Sequence, residues 1–294
     1  MIHHSMKKLI IAAGIFLCTA ANLFAQDGKY FDFFSEEPGN SPTLFAPGII
    51  LKPDVKESDL IISPKGDELF YVLGEWPYTK IMHSEKTEKG WSQPDTATFS
   101  IGCYATEPTF SADGQWIYYS SSKGKENISN YNIWRVKKTV HGWTNPESVL
   151  NLGDDNIWEF HSSMTRNDEL YFCLWDSKTQ KGEIYMAQCS TDGCSNAQKV
   201  DLSVSTYYGT IDPYIDYDAT YMIYATNTPG GLGDFDLYIS YQQPDGRWTA
   251  PKNLGAPYNT SGPDLDLDIS PDGKYIITYS EDGILWQKNT LTNN

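Results

Sequence analysis

The sequence predicts an all-β fold: a five-bladed β-propeller of four-stranded blades, with the last blade closed by the N-terminal strand. Three observations predict it. An internal repeat recurs about every 50 residues, each repeat contains short apolar and aromatic runs separated by turn residues, and helical periodicity of useful length is absent. Together they favour a closed ring of sheets over any helical or mixed fold.

The repeat begins with a first strand whose leading residue is ionisable in every copy, and the copies are 48, 54, 51 and 54 residues apart. A turn and an aromatic second strand follow, as in Trp116–Ser120, and three of the turns carry the glycine of a tight hairpin. A third strand comes next, and a glycine turn leads into a fourth. The leading residues are Asp59, Glu107, His161, Asp212 and Asp266.

The strand count predicts how the ring closes. The repeats contain five first, second and third strands, but only four fourth strands follow them. The missing strand is expected at the front, in Leu44–Leu51, where it completes the last blade and leaves no free sheet edge. The predicted organisation is a signal peptide over 1–25, a lead segment over 26–43 and the propeller over 44–290.

The first 25 residues indicate export. Lys7 and Lys8 precede an almost wholly apolar run from Leu9 to Ala21, and Ala25 offers a small residue at the expected cleavage point. We therefore expect a periplasmic or secreted protein that is cleaved near Ala25 and has no membrane-spanning segment, because the apolar run is short for a span.

The charge of the chain limits its partners. The formal net charge is −16, and removal of Lys7 and Lys8 makes it −18. Such a chain lacks the basic patches that nucleic acid requires. The sequence also lacks zinc-ligand spacing, a nucleophile elbow, a phosphate-binding loop and a dinucleotide fingerprint. We expect a monomer whose partner is a glycan, a peptide or an envelope protein.

Two motifs carry a family resemblance. Phe110–Gly114 and Ile269–Gly273 resemble the Ser-Pro-Asp-Gly core of TolB-type WD40-like repeats, and Gly230–Tyr238 with Trp248–Gly255 resembles repeats found beside peptidoglycan-binding modules. The resemblance covers residues 44 to 288 and implies an exported propeller of the bacterial envelope. The first and third repeats depart from it, at Lys65 and at 165–167.

The cysteines that remain after cleavage fit the repeat. Cys194 occupies the position of Trp91, Trp143 and Trp248, and Cys189 lies five residues earlier. Because both exceptions fall in one hairpin, we predict a cross-strand disulfide that replaces the missing tryptophan packing. Cys103 and Cys173 are expected near one face on neighbouring blades, either as buried free thiols or as a second bond.

The five leading residues are the candidate site. Period-two alternation places them on the channel side of each first strand, as a ring near one mouth. Four carboxylates and an imidazole in one ring repel, which raises some pKa values or recruits a cation. The alternative is that they cap backbone N–H groups. No cofactor is certain; Asp264, Asp266 and Asp268 are expected Ca²⁺ ligands or, alternatively, solvated charges.

Aromatic loops at the same mouth complete the predicted ligand site, with Trp76, Tyr104, Trp158 and Tyr208 as candidate contacts. The interpretation is a binding module for a glycan, peptide or envelope protein. One alternative is a glycoside hydrolase, with Glu107 as acid and Asp59, Asp212 or Asp266 as base. Another is a TolB-like interaction scaffold. The sequence favours a protein that is not an enzyme.

Overall fold

A computed structural model describes residues 30–291 except 32, 35, 51–54, 125–129, 151, 153, 196, 205 and 281. The described residues form five β-sheets of antiparallel strands in chain order, so the predicted five-bladed propeller is confirmed. The predicted signal peptide over 1–25 lies outside the described residues. Within the described part of the chain, no helix has the length and apolar character needed to span a bilayer.

Blades 1 to 3 have an outer fourth strand that is divided into two short pieces, both paired with the third strand. The strands of blade 1 are β3 (Glu57–Ile62), β4 (Glu68–Leu73), β5 (Lys80–Thr87), β6 (Gly90–Ser92) and β7 (Asp95–Thr96). Those of blade 2 are β8 (Ala105–Phe110), β9 (Trp116–Ser121), β10 (Asn132–Thr139), β11 (Gly142–Trp143) and β12 (Glu147–Ser148). Those of blade 3 are β13 (Ile157–Met164), β14 (Glu169–Asp176), β15 (Lys181–Ser190), β16 (Gly193–Cys194) and β17 (Gln198–Lys199).

Blades 4 and 5 have four strands each. Blade 4 comprises β18 (Thr210–Ile215), β19 (Tyr221–Thr226), β20 (Asp236–Tyr241) and β21 (Lys252–Asn253). Blade 5 comprises β22 (Asp268–Ile269), β23 (Tyr275–Ser280), β24 (Gly283–Lys288) and the N-terminal strand β2 (Thr43–Leu44). A further strand, β1 (Tyr30–Phe31), lies in the lead segment, and Thr98–Ser100 forms a 3-10 turn between blades 1 and 2.

The ring closes as the sequence predicts. Thr43 pairs with Trp286 and Leu44 with Leu285, so β2 is the fourth strand of blade 5. Of the predicted segment Leu44–Leu51, only Leu44 lies in this strand, because a turn over 48–50 follows it instead. The lead segment adds a contact that sequence analysis missed: β1 pairs with β6 of blade 1. The N-terminal region is therefore held by both the first and the last blade.

In blades 1, 2, 3 and 5 the first hairpin is closed by the hydroxyl of the residue that follows the first strand. Ser270 Oγ accepts a 3.0 Å hydrogen bond from Tyr275 N, and Ser111 Oγ accepts one of 2.9 Å from Trp116 N. Thr165 Oγ1 does the same for Glu169 N at 3.2 Å, although its turn departs from the repeat motif. The hydroxyl satisfies a donor that the turn leaves unpaired, which explains why Ser or Thr recurs here.

The predicted disulfide is present. Cys189 and Cys194 are bonded, and they lie opposite each other in the antiparallel pair of β15 and β16. Cys103 and Cys173 are free, and Cys173 is fully buried. The bond joins the two strands of the one outer hairpin that lacks a tryptophan.

Candidate functional site

The five leading residues share an unusual backbone conformation. Their φ angles lie between 47° and 52°, in the left-handed region that residues other than glycine avoid. In blades 1 to 4 the pairing with the second strand is interrupted at this residue, so each lies in a β-bulge. A bulge re-aims one side chain relative to its neighbours. The left-handed conformation recurs at all five positions, including Asp266 just before β22, and it turns the ionisable side chains toward the channel.

The side chains meet across the channel. His161 Nδ1 lies 3.0 Å from Asp266 Oδ1 and 3.7 Å from Asp212 Oδ1, which connects blades 3, 4 and 5. Glu107 connects blade 2 to blade 3, because it accepts hydrogen bonds from the backbone N–H of His161 at 2.7 Å and from Ser120 Oγ at 2.8 Å. We call these five residues the channel ring.

Asp59 completes the channel ring from blade 1. Its Oδ2 accepts hydrogen bonds from Ser58 Oγ at 2.7 Å and Thr106 Oγ1 at 3.4 Å. His161 and Asp212 are only 7% and 6% exposed, so the ring is a packed layer rather than an open pore. The sequence prediction that these positions cap backbone donors applies to Glu107, whereas Asp212 and Asp266 contact an imidazole.

Burial and like charge shift the titration of the channel ring. Burial raises the pKa of Asp59 and of Asp212 well above the usual range, and the charge of Asp266 adds to both effects. Burial also raises the pKa of Glu107, against the opposing influence of His161. Burial opposes protonation of His161, but the surrounding carboxylates outweigh it and raise its pKa well above normal. The ring therefore retains protons that isolated side chains would release.

A cation is the other way to relieve this repulsion. Donor atoms of Asp59, His161 and Asp266 all lie within 4.8 Å of one another, which is a feasible ligand spacing. Asp264, which we expected beside Asp266, instead accepts hydrogen bonds from Thr260 N at 2.6 Å and Thr260 Oγ1 at 3.0 Å. Asp268 lies one layer deeper, where burial raises its pKa to about 6.

Below the channel ring, the channel narrows to a cavity of about 40 Å³. The first strands line it with residues two positions after the ring, among them Thr109, Ser163, Tyr214 and Asp268. This volume holds a few waters but no larger ligand. Any ligand of the ring therefore approaches from the opposite mouth, where the first strands begin.

The mouth above the channel ring is aromatic. Trp76, Tyr78, Tyr207 and Tyr208 are more than half exposed, and all four lie in loops at the end where first strands begin. Trp76 stacks on Tyr131 at 6.4 Å between ring centroids and contacts Trp158 at 6.3 Å. Tyr104 packs edge-on to Tyr78 at 5.3 Å. Trp76 thus extends from blade 1 across blade 2 to blade 3.

Sequence analysis missed Tyr131 and the polar residues that hold the ring. Tyr131 donates a 2.8 Å hydrogen bond to the carbonyl of Pro77 and fixes the loop that carries Trp76. Burial raises the pKa of Tyr131 to about 12. In the sequence, Tyr131 is marked only by its position immediately before a third strand. That position by itself predicts packing in the core and not a role in the site.

No protein-family model matches the sequence, and no curated protein matches it. Solved structures resemble the fold at low identity. An endo-arabinase from Bacteroides thetaiotaomicron is 13% identical, with a TM-score of 0.55 over 81% of this chain and 95% of that one. A thermostable family-43 glycoside hydrolase is 13% identical, with a TM-score of 0.52 over 81% of this chain and 89% of that one.

TolB from Acinetobacter baumannii is also similar in fold, with 12% identity and a TM-score of 0.52 over 80% of this chain. The match spans 54% of the TolB chain, so it concerns only part of that protein. These likenesses show a β-propeller fold that is shared by TolB and by glycoside hydrolases. They do not distinguish a binding module from an enzyme.

Proposed function

We propose that this protein is an exported binding module, and that its ligand lies on the aromatic mouth, above the channel ring. The observation that carries the proposal is the ring itself. Five residues adopt a costly backbone conformation in order to gather four carboxylates around one imidazole. Strain and like charge at one place are characteristic of functional sites, because stability alone selects against both.

A glycan is the ligand class that the mouth fits best. Exposed indole and phenol faces stack on the apolar faces of sugar rings, and they are grouped here on adjacent loops. Carboxylates accept hydrogen bonds from sugar hydroxyls. The side chain of Asp266 is 22% exposed, so its carboxylate can accept such a bond from a ligand at the mouth. The side chain of Asp212 is only 7% exposed and is less accessible.

Hydrolysis is the second candidate, favoured by one observation. Donor oxygens of Asp59 and Asp266, which belong to neighbouring blades of the closed ring, lie within 4.8 Å of each other, close to the separation of about 5 Å used by retaining glycosidases. Against it stands the burial of the ring, which leaves little room for a sugar and a water between the two carboxylates. We therefore propose binding ahead of catalysis.

The test is a glycan-array screen of the purified protein, followed by affinity measurements on variants. We expect Trp76→Ala to weaken binding at least about fivefold, since stacking of a sugar on one aromatic face contributes about 1 kcal/mol or more. Tyr241→Ala removes a similarly exposed aromatic from the opposite end of the strands and serves as the matched control.

The double variant Glu107→Gln, Asp212→Asn separates the candidate functions. A binding module that uses the ring loses affinity, whereas a hydrolase retains affinity and loses turnover, because acid and base act on the transition state. Binding that survives both the double variant and Trp76→Ala contradicts a mouth site. Absence of any bound glycan contradicts the glycan assignment and directs the search to an envelope protein partner.

A further inference from the structure

Three side chains of the channel ring have the spacing of metal ligands. One ring nitrogen of His161 and one carboxylate oxygen each from Asp59 and Asp266 lie within 4.8 Å of one another. Two ligands that bind an ion at right angles, each about 2.1 Å from it, are about 3.0 Å apart. His161 Nδ1 and Asp266 Oδ1 are 3.0 Å apart. These two atoms therefore have the separation of neighbouring ligands of one ion.

The imidazole nitrogen that faces the carboxylates makes no hydrogen bond. His161 is 7% exposed, and its Nδ1 is buried without a hydrogen-bond partner, although Asp266 Oδ1 lies only 3.0 Å away. Because that distance is short enough for a bond, the oxygen lies away from the direction in which the ring nitrogen donates or accepts. A metal ion among the three side chains would supply the missing partner, since a neutral imidazole nitrogen is a common metal ligand.

The burial of this nitrogen suits an ion. An ion lies among its ligand atoms at about 2.0–2.2 Å, so a coordinated nitrogen contacts the ion and is closed to solvent. The side chain of Asp266 is 22% exposed and Asp59 is partly exposed, so an ion that arrives through the mouth meets these carboxylates first. The buried His161 then completes the site.

The donor set selects the class of ion. One imidazole nitrogen with two carboxylate oxygens suits a divalent transition ion such as Zn²⁺, which nitrogen and oxygen ligands bind well. Ca²⁺ takes about six to eight oxygen ligands, so a site that presents an imidazole nitrogen selects against it. Glu107 and Asp212 contact His161 from neighbouring blades, and their charge adds to the attraction for a divalent cation.

A second cluster of the same residue types lacks these features. Glu68, His83 and Glu85 also have donor atoms within 4.8 Å of one another. There, however, His83 Nε2 is hydrogen-bonded to Glu68 at 3.1 Å, and the ammonium group of Lys138 contacts the same carboxylate. The nitrogen has a partner and the charge is already offset, so this cluster does not call for an ion.

We propose that the channel ring binds one divalent transition-metal ion, with Asp59, His161 and Asp266 as its ligands. The ion joins blades 1, 3 and 5, and it therefore holds the first blade to the last from inside the channel. In the metal-free protein, protons take the place of the ion in offsetting the charge of the ring. Ion binding at this site does not require a glycan at the mouth.

The test is a calorimetric titration of Zn²⁺ into the full protein after dialysis against EDTA. We expect one ion per chain with Kd below about 10 μM, and a higher melting temperature when the ion is present. Ca²⁺ should bind at least about tenfold more weakly than Zn²⁺. X-ray absorption at the zinc edge should show imidazole among the ligands of the bound ion.

Substitutions locate the ion. Asp266→Asn keeps the shape of the side chain and removes a charged ligand, and His161→Gln removes the nitrogen ligand. Each should weaken Zn²⁺ binding at least about tenfold. Asp264→Asn is the matched control, because it makes the same change at a carboxylate that is hydrogen-bonded to Thr260, and it should leave binding unchanged.

An exposed histidine provides the control for adventitious binding at the surface. His141→Gln should also leave Zn²⁺ binding unchanged, and melting curves without the ion verify that every variant folds. The proposal is overturned if Zn²⁺ binds no more tightly than about 1 mM, or if Asp266→Asn or His161→Gln binds it as tightly as the wild type. Loss of binding in Asp264→Asn or His141→Gln, or equal affinity for Ca²⁺, also overturns it.

Discussion

Two clusters of ionisable side chains in this molecule use a histidine beside carboxylates, with opposite results. Between blades 1 and 2, Glu68 is held by His83 at 3.1 Å and by Lys138, so one carboxylate faces two donors. In the channel ring, four carboxylates share one imidazole. Burial raises the carboxylate pKa values in both clusters, so the balance of neighbouring charges decides whether the pKa of a carboxylate finally rises or falls.

The pKa directions express this difference. Burial alone would raise the pKa of Glu68, but the hydrogen bonds from His83 and Lys138 outweigh it and lower the pKa. In the ring, burial raises the pKa values of Asp59, Glu107 and Asp212, and the charge of Asp266 adds to each effect while His161 opposes it. The paired carboxylate of the first cluster stabilises the fold at neutral pH, whereas these three carboxylates of the second destabilise it. We expect such a loss of folding stability at a site whose charged residues are needed for binding.

The largest effect is expected from Glu68→Gln. The substitution removes the charge that both His83 and Lys138 pair with, and it should lower the free energy of unfolding at pH 7 by about 1.5–3 kcal/mol. Urea denaturation measures the change. Glu88→Gln, at an exposed position in the turn that follows β5, is the control and should change stability little. Equal effects of the two variants would show that the interblade ion pair contributes nothing.

Loss of the disulfide should lower the free energy of unfolding somewhat less than Glu68→Gln does. This decrease should not depend on pH. The bond closes a loop with a sequence separation of 5, for which chain entropy gives about 2 kcal/mol. The double variant Cys189→Ala, Cys194→Ala therefore provides a reference that is remote from both charged clusters. A loss that varies between pH 5.5 and pH 8 would indicate that the outer hairpin is coupled to one of them.

The channel ring should make the protein more stable at mildly acidic pH. Asp212 and His161 both have raised pKa values in the folded state, so the folded state binds more protons, and their contribution falls as pH rises through those values. We expect about 1 kcal/mol more stability at pH 5.5 than at pH 8. Glu68 acts in the opposite direction, but only at lower pH, as the pH falls from its ordinary pKa of 4.5 through its lower folded pKa.

The variant Asp212→Asn tests the origin of this pH dependence. It removes one raised carboxyl group, so the difference between pH 5.5 and pH 8 should become smaller. Asp245→Asn, an exposed aspartate paired with Arg247, should leave that difference as it is in the wild type. If both variants retain the full pH dependence, the ring is not its source.

The smallest effect is expected from Glu107→Gln, the same chemical change as Glu68→Gln in the other cluster. The amide oxygen can still accept hydrogen bonds from His161 N and Ser120 Oγ, and one repelling charge disappears. We expect a change in stability within about 0.5 kcal/mol at pH 7. A loss as large as that of Glu68→Gln would mean that the charge of Glu107 holds the first strand of blade 3 in place.

Much of this site could be predicted, because the repeat marks equivalent positions. Alignment of Asp59 with Asp266 and the three residues between them identified the members of the ring before any geometry was known. The disulfide could be predicted for the same reason, since two exceptions fell in one hairpin. What the repeat could not provide was the conformation of these residues. Strict alternation predicts a regular strand, whereas each leading residue has φ near 50°, and those of blades 1 to 4 lie in bulges.

The sequence alone determined the number of blades, the closure of the ring by an N-terminal strand and the identity of the channel residues, since all three follow from periodicity. The tertiary structure decided which of them touch. His161 reaches Asp266 two blades away, and Trp76 reaches Trp158. These contacts depend on how the blades are inclined and how far each side chain extends across a gap. A repeat pattern contains neither quantity. It records the order of residues along the chain and not the spatial distance between residues that are far apart in the sequence.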